Sequence, residues 1–180
     1  LWTYVPSAVA KPSVLPVVPQ VSPGTVAPLP DDPMAEARRR FRQSDYNGVR
    51  AILEPYLETK KSKSHRTAPQ LLLGRVYMEL GHYNLASQNF YRVRTGEGGD
   101  AKVAAWYEAV SDLKRGRPQA TIKECETYME TYKAGKRVSE CLVLIGDARA
   151  AQGKLGSANA SYKKYLDNPD HKDMLRTEEM

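Results

Sequence analysis

The sequence predicts an all-α protein of about four antiparallel helix pairs, preceded by an extended Pro-rich tail. Three observations predict it. Beyond residue 30, apolar and small residues recur at separations of three and four, the spacing that gathers side chains on one helix face. The pattern is interrupted briefly at Ser44, Gly81, Gly116 and Gly153, residues suited to tight turns. Those interruptions stand 37, 35 and 37 residues apart. A near-constant period in this range signals stacked supersecondary units, none of which can bury its apolar face alone.

The first hairpin covers residues 34–57, with Ala37, Phe41, Tyr46, Val49, Leu53 and Tyr56 in phase. The second, residues 71–93, has the sharpest pattern: Leu73, Gly74, Tyr77, Gly81, Tyr83, Ala86, Phe90 and Val93. The third, residues 104–130, is weaker, with Ala109, Leu113, Gly116, Cys125 and Tyr128. The fourth, residues 142–166, repeats the second with Ile145, Gly146, Gly153, Leu155, Ala158, Tyr162 and Tyr165. Gly74, Ala109 and Gly146 leave room for close approach of paired helices, and Tyr46, Tyr83, Phe90 and Tyr162 are expected to fill the gaps between neighbouring pairs. The eleven tyrosines read as core and rim packing, ring bodies buried and hydroxyls reaching water or a carbonyl. "GEGGD" (96–100) follows a helix and reads as a loop, with Asp100 expected to cap the next helix.

These residues resemble the tetratricopeptide repeat family, above all Leu73-Gly74, Tyr77, Gly81, Tyr83, Ala86 and Phe90, then Ile145-Gly146, Gly153, Leu155 and Ala158. The first and third units depart from the pattern, with Ala37 where Gly is common, Glu108-Ala109 in place of a small pair, and Pro118 where an aromatic is usual. The resemblance implies a right-handed superhelix over residues 31–170 whose concave face binds a partner. It places Met34, Arg38, Arg42, Leu71, Arg75, Met78, Trp106, Val110, Lys114, Val143 and Asp147 on that face. Trp106, expected beside Arg75 and Lys114, suits a peptide with apolar and acidic groups; packing inside its own repeat is the equal alternative.

Residues 1–30 hold seven of the twelve prolines and one charge, Lys11. Proline at this density blocks helix and central strand, so this tail is expected to be extended. It resembles the tethers of exported or lipid-anchored bacterial proteins, and a start without Met leads us to expect residues upstream, where a lipid tether would sit. Asn168-Pro169 closes the fourth hairpin. Residues 171–180, with Met174 and Leu175, read as a capping helix or the start of a further repeat.

No catalytic motif is present: no GxSxG, HExxH, phosphate loop or dinucleotide fingerprint. Glu54, Glu58, Asp45 and Asp112 read as solvated helix residues paired with nearby Arg or Lys. His65, His82 and His171 are isolated turn residues without metal spacing, and no cofactor is expected. Cys125 and Cys141 fall on neighbouring helices of the third and fourth pairs; they bridge in an oxidising compartment or serve as small buried hydrophobes. Charge is uneven. Residues 34–66 carry nine Lys/Arg against four Asp/Glu, with a basic patch of Arg39, Arg40, Lys60, Lys61, Lys63 and Arg66. Such a patch meets an anionic surface or is simply solvated; no aromatic interleaves it, which disfavours specific nucleic-acid binding.

The expected function is a non-catalytic protein-binding scaffold or adaptor in a bacterial envelope assembly, periplasmic or envelope-associated and otherwise cytoplasmic, with a protein or peptide partner. The alternative is the non-catalytic helical arm of a longer envelope enzyme: "ARRRFRQSDYNGVRAILEPYLE" resembles, in a general way, the helical arms of soluble lytic transglycosylases.

Overall fold

The computed structural model describes residues 29–59, 66–96 and 100–168. Among the described residues there are eight α-helices and no strand: α1 (Pro33–Arg42), α2 (Tyr46–Thr59), α3 (Thr67–Glu79), α4 (Tyr83–Arg94), α5 (Ala101–Lys114), α6 (Pro118–Tyr132), α7 (Lys136–Ala151) and α8 (Leu155–Asp167). They form four antiparallel pairs, and each helix packs on the next in chain order. Beyond that sequential packing, α1 touches α3 and α5 touches α7. The odd-numbered helices therefore form an inner layer and the even-numbered ones an outer layer. Residues 1–28 of the expected tail and the helix expected over 171–180 lie outside the described residues, while Leu29 packs against the core.

Within each pair the turn is three residues long and built one way. Ser44, Gly81, Gly116 and Gly153 all have positive φ, at 59°, 73°, 69° and 74°. Each donates its N–H to a carbonyl three residues back, and the next residue donates to one five back: Gly81 to Met78 and His82 to Tyr77, for example, or Ser44 to Phe41 and Asp45 to Arg40. This closure satisfies carbonyls that the helix end would otherwise orphan. The left-handed conformation is free for glycine and strained for Ser44.

Helix starts are less uniform. Asp32 Oδ1 accepts the N–H groups of Met34 and Ala35, and Pro33 occupies the first helical position of α1. Asp45 Oδ1 accepts the N–H of Gly48 and so caps α2. Pro118 opens α6, where a missing N–H costs nothing; that is why the third unit tolerates it. Asp100, expected to cap α5, has a helical backbone and makes no side-chain cap bond. Its φ/ψ already belong to the helix, so the side chain cannot turn back.

The core is a series of small-to-large contacts. Ala37, Gly74, Ala109 and Gly146, each seven residues before its turn residue, are buried. Sixteen residues later stand Leu53, Phe90, Cys125 and Tyr162. A Cβ added at Gly74 would come within 2.6 Å of Phe90 Cε1, and one at Gly146 would collide with the Tyr162 ring. Phe90 and Tyr162 thus fill the crossing inside their own pairs, which corrects the expectation that they lie between pairs. The ring needs the missing Cβ. Phe90 also reaches onward, stacked on Tyr107 of α5 at 5.0 Å.

Polar contacts join one pair to the next. Tyr77 donates its hydroxyl to Glu54 Oε1 (2.7 Å), which also receives Arg50 Nε (2.8 Å). Burial first, then this bond, pushes the Tyr77 hydroxyl up to about 12. Between α4 and α5, Arg94 Nε meets Glu108 Oε2 at 2.6 Å. Asp112, expected to be solvated, is buried beside it and paired with Arg115 and Arg117. This polar seam divides the apolar core into a cluster over α1–α4 that includes Ala104, and a second over α5–α7. Leu155 is 65% exposed, on α8, beyond which no described helix packs.

Two stability predictions follow from these positions. Gly74→Ala should lose about 1–2 kcal/mol net, because Phe90 is fully buried and the overpacking outweighs the helix-propensity gain. Gly146→Ala should lose less, because Tyr162 is only half-buried and its ring can shift outward at the cost of its hydroxyl bond to Asp147. Urea unfolding of both variants checks the order. Ser44→Gly should gain about 0.5–1 kcal/mol by relieving the left-handed strain, read as a higher urea midpoint with unchanged slope.

Candidate functional site

The inner layer carries a chain of rings and guanidinium groups. Phe41 comes from α1, Arg75 from α3, Trp106 and Tyr107 from α5, and Arg137 from α7. Arg75 Cζ lies 4.7 Å from the Phe41 ring centre and 5.9 Å from that of Tyr107. Arg137 Cζ lies 5.6 Å from Tyr107 and 5.1 Å from Trp106. Tyr107 is held from behind by Phe90 and meets Trp106 edge-on at 5.0 Å. Each cation–ring contact at such a half-exposed place contributes ~0.5–1 kcal/mol. More important, the rings fix where the guanidinium charges stand.

A cleft of about 430 Å³ opens beside this chain, lined by Met34, Arg38, Phe41, Arg42, Ala68, Leu71, Leu72, Arg75 and Asp100. Five residues expected on the concave face, Met34, Arg38, Arg42, Leu71 and Arg75, are thus brought together. None of Arg38, Arg42, Arg75 and Arg137 takes part in an ion pair among the described residues. One carboxylate, Asp100, lines the cleft against three arginines. The cleft therefore offers apolar walls and an excess of positive charge.

The other expected residues stand apart from it. Met78 is half-buried, with Ser111 Oγ 3.1 Å from its sulfur. Val110 is half-buried and Lys114 exposed; neither lines this cleft. Trp106 packs on the second core cluster, and its buried indole N–H meets no acceptor among the described residues. Its cationic neighbour is Arg137, not Arg75 or Lys114. Arg137 and Tyr107 were not foreseen. The signal for Tyr107 was its place next to Trp106, since adjacent helical residues point about 100° apart and cannot both face one way.

The basic patch is only partly available. Arg39 and Arg40 both bond Glu36, at 2.6 and 2.8 Å, and Arg40 also reaches Asp45 at 3.3 Å. Hydrogen bonds from Arg39 and then Arg40 pull the Glu36 carboxyl down to about 2. Arg66 sits at the start of α3. Lys60, Lys61 and Lys63 lie outside the described residues. Among the described residues no group of three or more His, Cys, Asp or Glu is placed to hold a metal ion, and no helix is long and apolar enough to cross a membrane.

No protein-family model and no curated protein matches this chain.

A second cleft, about 520 Å³, is lined by Asn84, Ser87, Gln88, Tyr91, Arg92, Glu108 and Arg115. Glu108 closes its floor. Burial raises the Glu108 carboxyl above the usual carboxylate range even though Arg94 opposes the shift. Between the unfolded and the raised folded value, the folded chain holds a proton that the unfolded chain releases. This contribution to stability is full below the unfolded value and is lost as pH rises through the folded one. Glu108→Gln, whose carbonyl can still accept from Arg94, should therefore gain stability relative to wild type as pH rises above about 4. Urea midpoints taken upward from that pH measure it; parallel curves would show that Glu108 does not titrate there.

Proposed function

We propose that this chain is a tetratricopeptide-type binding scaffold with no catalytic role of its own. It holds an extended or helical protein segment against its inner layer, within a bacterial envelope assembly. The observation that carries the reading is the set of Arg38, Arg42, Arg75 and Arg137, of which rings position Arg75 and Arg137, and none of which has an ion pair among the described residues. Arginines needed only for the fold, such as Arg94 and Arg115, have carboxylate partners here. Unneutralised guanidinium groups beside Phe41, Leu71 and Trp106 suit a segment that alternates acidic and large apolar side chains. The 37, 35 and 37 residue spacing supports the repeat family, and the Pro-rich start supports a tethered place in the envelope. In this reading the inner layer supplies specificity. The net charge of residues 34–66 speeds encounter.

Peptides selected from a random display library on the intact chain test it. They should carry Asp or Glu near a large apolar residue. Replacing Arg75 and Trp106 together by Ala should weaken their binding by ~2–4 kcal/mol, with the urea midpoint measured to confirm folding. Neutralising Lys60, Lys61 and Lys63 should mainly slow association, with a loss that shrinks at high salt. Peptides that survive the Arg75/Trp106 change and are lost on the lysine changes would move the site away from the inner layer.

A further inference from the structure

The third junction between pairs differs from the other two. Tyr77–Glu54 spans the first and Arg94–Glu108 the second, but among the described residues no ion pair joins α6 to α7. Two thiols stand there instead. Cys125 and Cys141 are both fully buried, in the cluster that holds Ala109, Tyr128, Val138 and Ile145. Only Lys133–Gly135 connects α6 to α7. Cys125 lies seven residues before the end of α6 and Cys141 five after the start of α7. At 1.5 Å per residue, their heights above the connection differ by about 3 Å. Both are free thiols of that one buried cluster. Two thiols of one buried cluster, at matching heights on antiparallel neighbouring helices, stand where a disulfide can join the helices.

We propose that Cys125 and Cys141 close an intramolecular disulfide that ties the third pair to the fourth. The Cys141 thiol, followed by burial, pushes the Cys125 thiol well up, and no oxidant reaches either sulfur once α6 and α7 have packed. The exchange therefore occurs during folding, before the core closes. A small disulfide such as oxidised glutathione is the oxidant. One cysteine thiolate attacks it, releasing one glutathione thiol and leaving a mixed disulfide. The second cysteine thiolate attacks that sulfur and releases the second glutathione thiol. Two protein thiols lose two electrons and two protons in total, and the glutathione disulfide gains them. Once formed, the buried bond is shielded from reductant. It needs no partner protein and is independent of the binding role proposed above.

Refolding from urea in a glutathione redox buffer, against refolding in excess reductant, tests the proposal. The oxidised product should be lighter by about 2 Da, the mass of two hydrogens, and give a linked Cys125–Cys141 peptide on digestion without reductant. Closing a loop of about 15 residues should raise its melting midpoint by roughly 5–10 °C. Cys125→Ala and Cys141→Ala should each melt at one temperature in both buffers. Two alkylatable thiols after oxidative refolding, or a bond that lowers the midpoint, would overturn the proposal. The mass measurement on wild type decides even if a variant fails to fold.

Discussion

The fold rests on one contact repeated along the chain, in which a residue of minimal size on the first helix of a pair faces a larger one sixteen residues on. The four pairs differ in chemistry, and the larger partner shrinks where the smaller one grows. Glycine goes with a ring, as in Gly74 with Phe90 and Gly146 with Tyr162. Alanine goes with something smaller, as Ala37 shares a buried cluster with Leu53 and Ala109 shares one with Cys125. A packed interior has no slack for a methylene too many or too few, so the two positions vary together. With that crossing fixed, Val49, Ala86, Thr121 and Ala158 form a second buried row, each five residues after its turn residue. The separation of the two helices then follows, and with it the outward angle at which the next pair must sit.

That angle produces the inner layer. Odd-numbered helices come close enough for a side chain of one to lie over a ring of another, as Arg75 does over Phe41 and Tyr107. A guanidinium group stacks on rings while keeping its edge N–H groups free, so these contacts position the charge without neutralising it. On the outer side, by contrast, arginines are drawn into carboxylates at the junctions, and the field they would project is cancelled locally.

Much of the fold was legible in the sequence because local rules set it. The turn residues declared themselves by breaking a period of three and four, and all four proved to be left-handed. The small residues declared themselves by spacing from those turns. What escaped depends on rotation between neighbouring pairs, which no single helix encodes. Asp112 looked like a surface acid until α4 covered it, and Phe90 looked like a spacer between pairs although its ring fills the void of Gly74. In the candidate site, Arg38, Arg42, Leu71 and Arg75 came from the resemblance to the repeat family, and one cleft holds all four. Arg137 was missed because it reaches Trp106 and Tyr107 from a different pair, across a distance that only the stacked array defines. Asp100 failed as a cap for a purely local reason, its backbone already being helical.

The three-residue turns leave length variation to other parts of the chain. From small residue to turn and on to the facing side chain, the count is the same in all four units. The connections between pairs are not: 60–66 is seven residues, 95–100 is six and 133–135 is three. Doubling a flexible connection costs only about 0.6 kcal/mol in closure entropy, whereas one residue added within a pair would rotate every later side chain by about 100°. Added length, a fused module or a cleavable tag is thus tolerated best where one pair hands over to the next, from α2 to α3 or from α4 to α5. Decoration there leaves the stack, and the charge held on its inner side, as they are.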